Sequence, residues 1–346
     1  MELEKLASEL ERQKTNSKDV IVDSRKIEAS VFDVTPEEGI GLFLGEGKAI
    51  PLTEWAHQQL AEKTGIPTKY YNRMLTTERF ELVAQNVNAW IKEKERRLIR
   101  IVDNKVRAIL SDRYRPMDNY DLLFCALAEF KQHGVEIHRC DLTETNMFIK
   151  AVQLHEMREI QENDKVVPGV ILSNSEVGAG SFKVEPFMLR LVCNNGMIGE
   201  QVIRKIHLGE RRDVGDIWSD ETLRKKDETL WSETTDVIKA TFDPTIFNEW
   251  VDKMKRGTEV EVESPTKAVN NIAAKYNINE DKKNELLDYF TTKEAPTQWG
   301  LANAVTRIAQ NEVKTENQVE LEKVGNDIAI LEPDEFLKEI RKEKKA

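Results

Sequence analysis

The chain has 346 residues, of which 40% are hydrophobic and 33% charged, and its formal net charge is -11. This length holds about two domains with cores of their own, and the balance is that of a charge-rich globular protein. An acidic chain is not a general nucleic-acid coat, but a local basic groove remains compatible with it, since only charge facing the phosphates counts.

Residues 1–25 read as a charged helix and a polar linker attached outside the core, with no apolar stretch of a signal peptide. From Val31 to Thr53 apolar and polar residues alternate around glycines, which predicts short strands. Thr53 then caps a helix through Trp55, Leu60 and Ala61 that stops at Gly65, and further helices follow to about residue 95. LIRIV and VRAIL flank Asp103-Asn104-Lys105 as a hairpin. A helix ending at Gly134 comes next. VEIHRCDLTETNMFIKAVQL contributes one or two strands and VVPGVILSN another.

The densest turn chemistry lies between Ser173 and Gly199, SNSEVGAGSFKVEPFMLRLVCNNGMIG. Gly and Asn reach left-handed backbone conformations cheaply, so FKVEPFMLRLVC reads as a strand entering a tight turn at Asn194-Asn195-Gly196. Pro186 marks a bulge or an edge position. After Arg212 a long helical rhythm runs through Ile217, Leu223, Leu230, Trp231, Val237 and Ile238, with later helices broken at Pro244, Pro265 and Pro296. The fold class is therefore α+β: an antiparallel sheet with hairpins and packed helices over 26–215, then a mainly helical region over 216–346.

Two basic clusters stand out. Lys92 to Arg115 holds nine Lys or Arg residues against Glu93, Glu95, Asp103 and Asp112. Strand alternation lets Arg100 and Arg107 share one solvated face, and Tyr114 sits between Arg113 and Arg115. Guanidinium groups that hold phosphates and a ring that stacks on a base suit a single nucleic-acid strand. The plainer alternative is an ordinary solvated sheet face with Tyr114 packed as a core or corner residue. The second cluster comprises Arg190, Arg204, Lys205, His207, Arg211 and Arg212, then Arg224, Lys225 and Lys226. The candidate nucleic-acid residues are Arg97, Arg100, Arg107, Arg113, Tyr114, Arg115, Arg204 and Lys205.

Enzyme signatures are thin. HEMRE at His155 places Glu159 where a metal-binding helix needs a second histidine, and GAG and NNG lack a phosphate-loop context. Cys193 beside His207 reads as a small strand hydrophobe before it reads as a nucleophile. The three cysteines, Cys125, Cys140 and Cys193, have no metal spacing and are expected as reduced thiols of a cytoplasmic protein. No apolar run approaches the roughly 20 residues that cross a bilayer. Neither a cofactor nor a metal is expected.

DRYRPMDNYDLL, GVILSNSEVGAGSFKVEPFMLRLVCNNGMI with IRKIHLG, and GLANAVTRIAQ resemble, in that order, the phage and plasmid family known as domain of unknown function 932. The resemblance spans about Pro51 to Pro333. A more distant similarity is to single-strand annealing recombinases, whose core is a β-β-β-α unit and which form rings or filaments. It implies single-stranded DNA binding in recombination or replication, a homo-oligomer, and a place in the bacterial host cytoplasm. Two rival expectations stand beside it. One is a host-interaction or DNA-mimicking protein whose basic residues are internal salt-bridge partners. The other is an enzyme with a cleft built from His207, Asp112 and Glu176.

Overall fold

The computed structural model describes residues 1–32, 39–92, 95–192, 195–199, 203–205 and 220–342, with 195, 203–205, 220–228 and 230 described by backbone alone. Chain order runs α1 (Leu3–Asn16), β1 (Ser17–Asp23), β2 (Glu28–Val31), β3 (Ile40–Phe43), β4 (Ile50–Pro51), α2 (Glu54–Lys63), α3 (Thr68–Thr76), α4 (Phe80–Trp90), β5 (Arg96–Val102) and β6 (Lys105–Ser111). Then come α5 (Asn119–Gln132), β7 (Glu136–Leu142), β8 (Met147–Val152), β9 (Arg158–Gln161), β10 (Asp164–Asn174), β11 (Phe182–Arg190), β12 (Asn195–Ile198) and β13 (Ile203–Lys205). The remainder is helical: α6 (Asp220–Thr241), α7 (Pro244–Glu259), α8 (Pro265–Lys275), α9 (Glu280–Lys293), α10 (Gln298–Ala309), α11 (Thr315–Ile330) and α12 (Pro333–Arg341). The α+β class with a helical C-terminal region is what the sequence predicts.

Three antiparallel sheets organise these elements. A small sheet has the order β1-β5-β6, and β2-β3-β4 forms a second one. The large sheet runs β12-β11-β10-β8-β7, with β13 also on β11 and β9 on β10. Its central strand β10 is buried on both faces. Val170 and Leu172 pack with Phe182 and Val184 under α1, α5 and α6, while Val167 and Ile171 pack with Phe187 and Leu189 under α11. The remaining C-terminal helices gather around Trp299, Leu301 and Val305 and reach the same sheet through Val166, Met188 and Met197. The helical region thus shares a core with the strands.

Local chemistry explains most boundaries. Asp103 and Asn104 both have positive φ, the requirement of a two-residue type I′ turn, and they join β5 to β6. The Thr53 hydroxyl accepts from the Ala56 N–H at the start of α2, and Gly65 with φ +68° ends that helix region. Pro244, Pro265 and Pro333 each open a helix, where a missing N–H costs nothing. Pro186 sits where the outer partner of β11 changes from β13 to β12, so its lost donor is tolerated.

Two expectations are corrected. The N-terminal stretch is built into the fold rather than attached outside it: Leu6 and Leu10 are fully buried, and β1 pairs with β5 over seven residues. Their i, i+4 spacing makes one apolar stripe that α5 and β7 cover. The turn after β11 also lies earlier than predicted. Asn195 pairs with Arg190 and Gly196 with Leu189, so Asn195 and Gly196 belong to strand β12 rather than to the turn, and Cys193 and Asn194 lie outside the described residues. Gly196 serves packing: a Cβ there would lie 2.2 Å from the Phe187 ring.

Candidate functional site

The loop between β10 and β11 reaches across to the small sheet, and its residues explain themselves by what they hold. Asn174, Ser175 and Glu176 are all buried. The Asn174 amide donates to the Met117 carbonyl and to Asn119 Oδ1, at 2.8 and 2.9 Å. Ser175 Oγ accepts from the Ala179 N–H at 3.0 Å and closes the turn. Val177 enters a small cluster with Leu98, Ala108 and Leu110, and its carbonyl accepts from Trp55 Nε1 and Gln59 Nε2. Gly178 has φ +78°, and a Cβ there would meet Leu110 at 2.7 Å. Only glycine satisfies both demands.

Glu176 is the hub. Its Oε2 accepts from Arg107 Nη1 at 2.6 Å, and its Oε1 accepts from the Asn119 N–H, at the first turn of α5, at 2.6 Å. The carboxylate therefore serves a helix N-terminus as well as a guanidinium. The Glu176 carbonyl accepts from Arg100 Nη1 at 3.0 Å. Arg100 also donates through Nε to Asp19, its cross-strand neighbour on β1, and through Nη2 to Asp118. Burial disfavours its charge, but Asp19, Asp118 and Glu176 outweigh that and hold its pKa above the usual value. The cavity at this junction is only about 20 Å³, room for about one water molecule.

This arrangement relocates several expected site residues. Arg100 and Arg107 do share a face of the hairpin, but that face is covered by the Ser173–Gly180 loop instead of solvent. The reason lies 69 residues away from Arg107, in Glu176. Tyr114 is a packed corner residue: its hydroxyl donates to the Ser175 carbonyl at 2.9 Å, and burial pushes its phenol pKa up. Arg97 is largely buried and pairs with Glu95 at 2.5 Å. Arg113 is exposed and Arg115 is half-buried. Arg204 and Lys205 lie on β13, paired by backbone with Lys183 and Phe182, and their side chains lie outside the described residues. In the second cluster Arg190 is also an inner residue, bidentate to Asp164 and bonded to Glu294. His207, Arg211 and Arg212 lie outside the described residues. Of the proposed enzymatic trio, Asp112 pairs with Arg96 and Glu176 with Arg107, while His207 is not described.

A second buried ionic layer, between the large sheet and α11, has no counterpart among the expected residues. Lys150 on β8 donates to both oxygens of Glu322 on α11, at 2.7 and 2.5 Å, and Gln318 Nε2 adds a bond to Glu322 at 2.9 Å. On the same sheet face Glu185 lies 3.0 Å from the Lys323 ammonium, in a geometry that makes an ion pair and no directed hydrogen bond. The sequence signal was a single charge inside an apolar run, as in MFIKAV and VEPFML. Trp299, immediately before the GLANAVTRIAQ stretch, donates to Asp164 at 2.9 Å and ties α10 to the start of β10.

Among the described residues no cluster of His, Cys, Asp and Glu could hold a metal ion, and no helix is long and apolar enough to cross a membrane. Cys125 and Cys140 are free thiols, and Cys193 lies outside the described residues. The Ser173–Gly180 loop and the residues it holds (Arg100, Arg107, Tyr114, Asp118 and Asn119) form a clasp between the small and large sheets. DRYRPMDNYDLL and the second diagnostic stretch contribute to it, GLANAVTRIAQ lies on α10, and Cys193, Asn194 and residues 206–209 lie outside the described residues. The chain belongs to the family called domain of unknown function (DUF932). The family match covers residues 107–329, from Arg107 of the clasp to the end of α11, and leaves out residues 51–106, the first 56 of the broader resemblance drawn from Pro51. No curated protein and no solved structure matches the chain.

Proposed function

We propose that this DUF932 protein binds single-stranded DNA in recombination or replication of a phage or plasmid, and does so as a homo-oligomer without a cofactor. The observation that supports this reading is an order of elements. The three strands that precede the 22-residue helix α6 in the chain are β11, β12 and β13, with β12 and β13 both antiparallel to β11, and α6 packs on β10 and β11. Three strands followed by a long helix is the core order of single-strand annealing recombinases, an analogy of fold. The contact surface moves outward from the expected groove. Arg113, with Arg204 and Lys205 on the edge strand, would meet phosphates, and Arg97 and Arg115 would flank them. Arg100, Arg107 and Tyr114 hold the platform.

The test is fluorescence anisotropy of a labelled oligothymidylate at low and moderate salt. Binding should weaken steeply as salt rises, because counterions return to the phosphates on release. An Arg113→Ala, Arg204→Ala, Lys205→Ala variant should bind weakly yet melt normally. Absence of binding at low salt defeats the reading.

The inner ion pairs favour a second reading. With Arg100, Arg107 and Arg190 consumed inside the fold and a net charge of -11, the acidic exterior would engage a basic surface of a host protein, imitating DNA. Competition between this protein and single-stranded DNA for a basic DNA-binding protein, with no DNA affinity of its own, would select it.

A further inference from the structure

A cavity lies apart from the clasp, where the helices that cover one face of the large sheet part company. At Asp243 the chain turns from α6 into α7, and the two helices diverge over β10 and β11. The space left between them is about 370 Å³, at the lower end of the range of small-molecule sites. Its floor is Pro168 and Pro186, each without an N–H to present. Its walls are Val237 and Ala240 of α6 and Phe247 and Trp250 of α7. Trp250 is held against Gly199, where a Cβ would lie 2.2 Å from the indole, so that wall is set before any ligand arrives. Ile246 at the rim is 48% exposed.

Among the described residues one charged side chain lines this apolar space. Lys253 stands one turn beyond Trp250 on α7, and among the described residues no carboxylate pairs with it. An apolar body is favoured by the walls, and the ammonium makes an acidic head group the complement at its edge. We propose that this cavity binds a small amphipathic anion, with its aromatic or aliphatic body between Trp250 and the two prolines and its carboxylate or sulfonate on Lys253. This site is independent of the nucleic-acid reading, since it uses none of Arg113, Arg204 or Lys205.

The test uses the full chain and two dyes. 8-Anilinonaphthalene-1-sulfonate is an aromatic anion, and N-phenyl-1-naphthylamine is its neutral analogue in shape. Both should bind the native protein saturably with one site. Lys253→Met should weaken the sulfonate about tenfold while leaving the neutral dye within twofold. Ala240→Trp, which fills the space, should remove both. Should Ala240→Trp fail to fold, Lys253→Glu at the rim answers the same question, with the sulfonate lost and the neutral dye retained. Absence of saturable binding to the native protein overturns the proposal. So does sulfonate affinity that both Lys253 variants leave unchanged from the native protein.

Discussion

Two of the buried ionic clusters of this molecule use opposite solutions to one problem. At the clasp, Arg100 spreads its fork over Asp19, Asp118 and the Glu176 carbonyl, and the two aspartates stay about one-third exposed. Beneath α11, Lys150 and Glu322 are 4% and 2% exposed, and the ammonium rests on one carboxylate. A guanidinium with partners reaching solvent gains several directed bonds, and each carboxylate keeps part of its hydration. A point charge sealed with a single partner depends on that partner entirely. The comparison teaches that the clasp joins segments, whereas the inner pair sets which face of α11 meets the sheet.

The largest effect should therefore come from the sealed pair. Glu322→Leu leaves Lys150 buried and alone, and should cost about 3–5 kcal/mol in urea unfolding. Adding Lys150→Met should return most of that loss, and failure to do so would place the cost in packing instead. Arg100→Met should cost less, about 2 kcal/mol, because Asp19 and Asp118 can turn to water. Its hydrogen-exchange signature should be loss of protection at the Ser173–Gly180 loop and the start of α5, with α11 unchanged. Arg100→Lys should not rescue it, since one ammonium cannot reach three separated acceptors.

Acid should distinguish the two regions further. His57 on α2 lies on the clasp side, with Nδ1 2.8 Å from the Tyr71 hydroxyl. Burial holds its pKa down to about 4 from 6.5, against a weaker opposing pull from Glu144. The unfolded chain takes up that proton near pH 6.5 while the folded chain refuses it until about 4. Stability is thus complete above 6.5 and falls as the pH drops toward 4. Melting curves across that window should show a slope that His57→Phe reduces. The smallest effect belongs to Arg113→Ala, within about 0.5 kcal/mol of the parent, since the side chain is exposed.

Much of the frame was legible because its causes are local. Asp103-Asn104, Thr53, Gly65 and the helix-opening prolines each act within a few residues. The site was legible only in part. That Arg100 and Arg107 share a face follows from strand geometry, but what covers the face depends on Glu176, and no local rule links those positions. Lys150, Glu185 and Arg190 were readable as charges inside apolar runs, without any indication of their partners. The N-terminal helix was misjudged because its two deeply buried residues, Leu6 and Leu10, are outnumbered by charged neighbours that all face solvent or pair at the surface.

The pairing of β1 with β5 has a consequence for the order in which the chain folds. Asp23 lies beside Arg96 in the finished sheet, so more than seventy residues must be looped out before the first strand finds its seat. The β5–β6 hairpin needs no such closure, since two residues turn it. During synthesis β1 must therefore wait until the hairpin emerges. Only when β1 is laid along β5 does Asp19 reach Arg100, which makes the clasp a late event in folding.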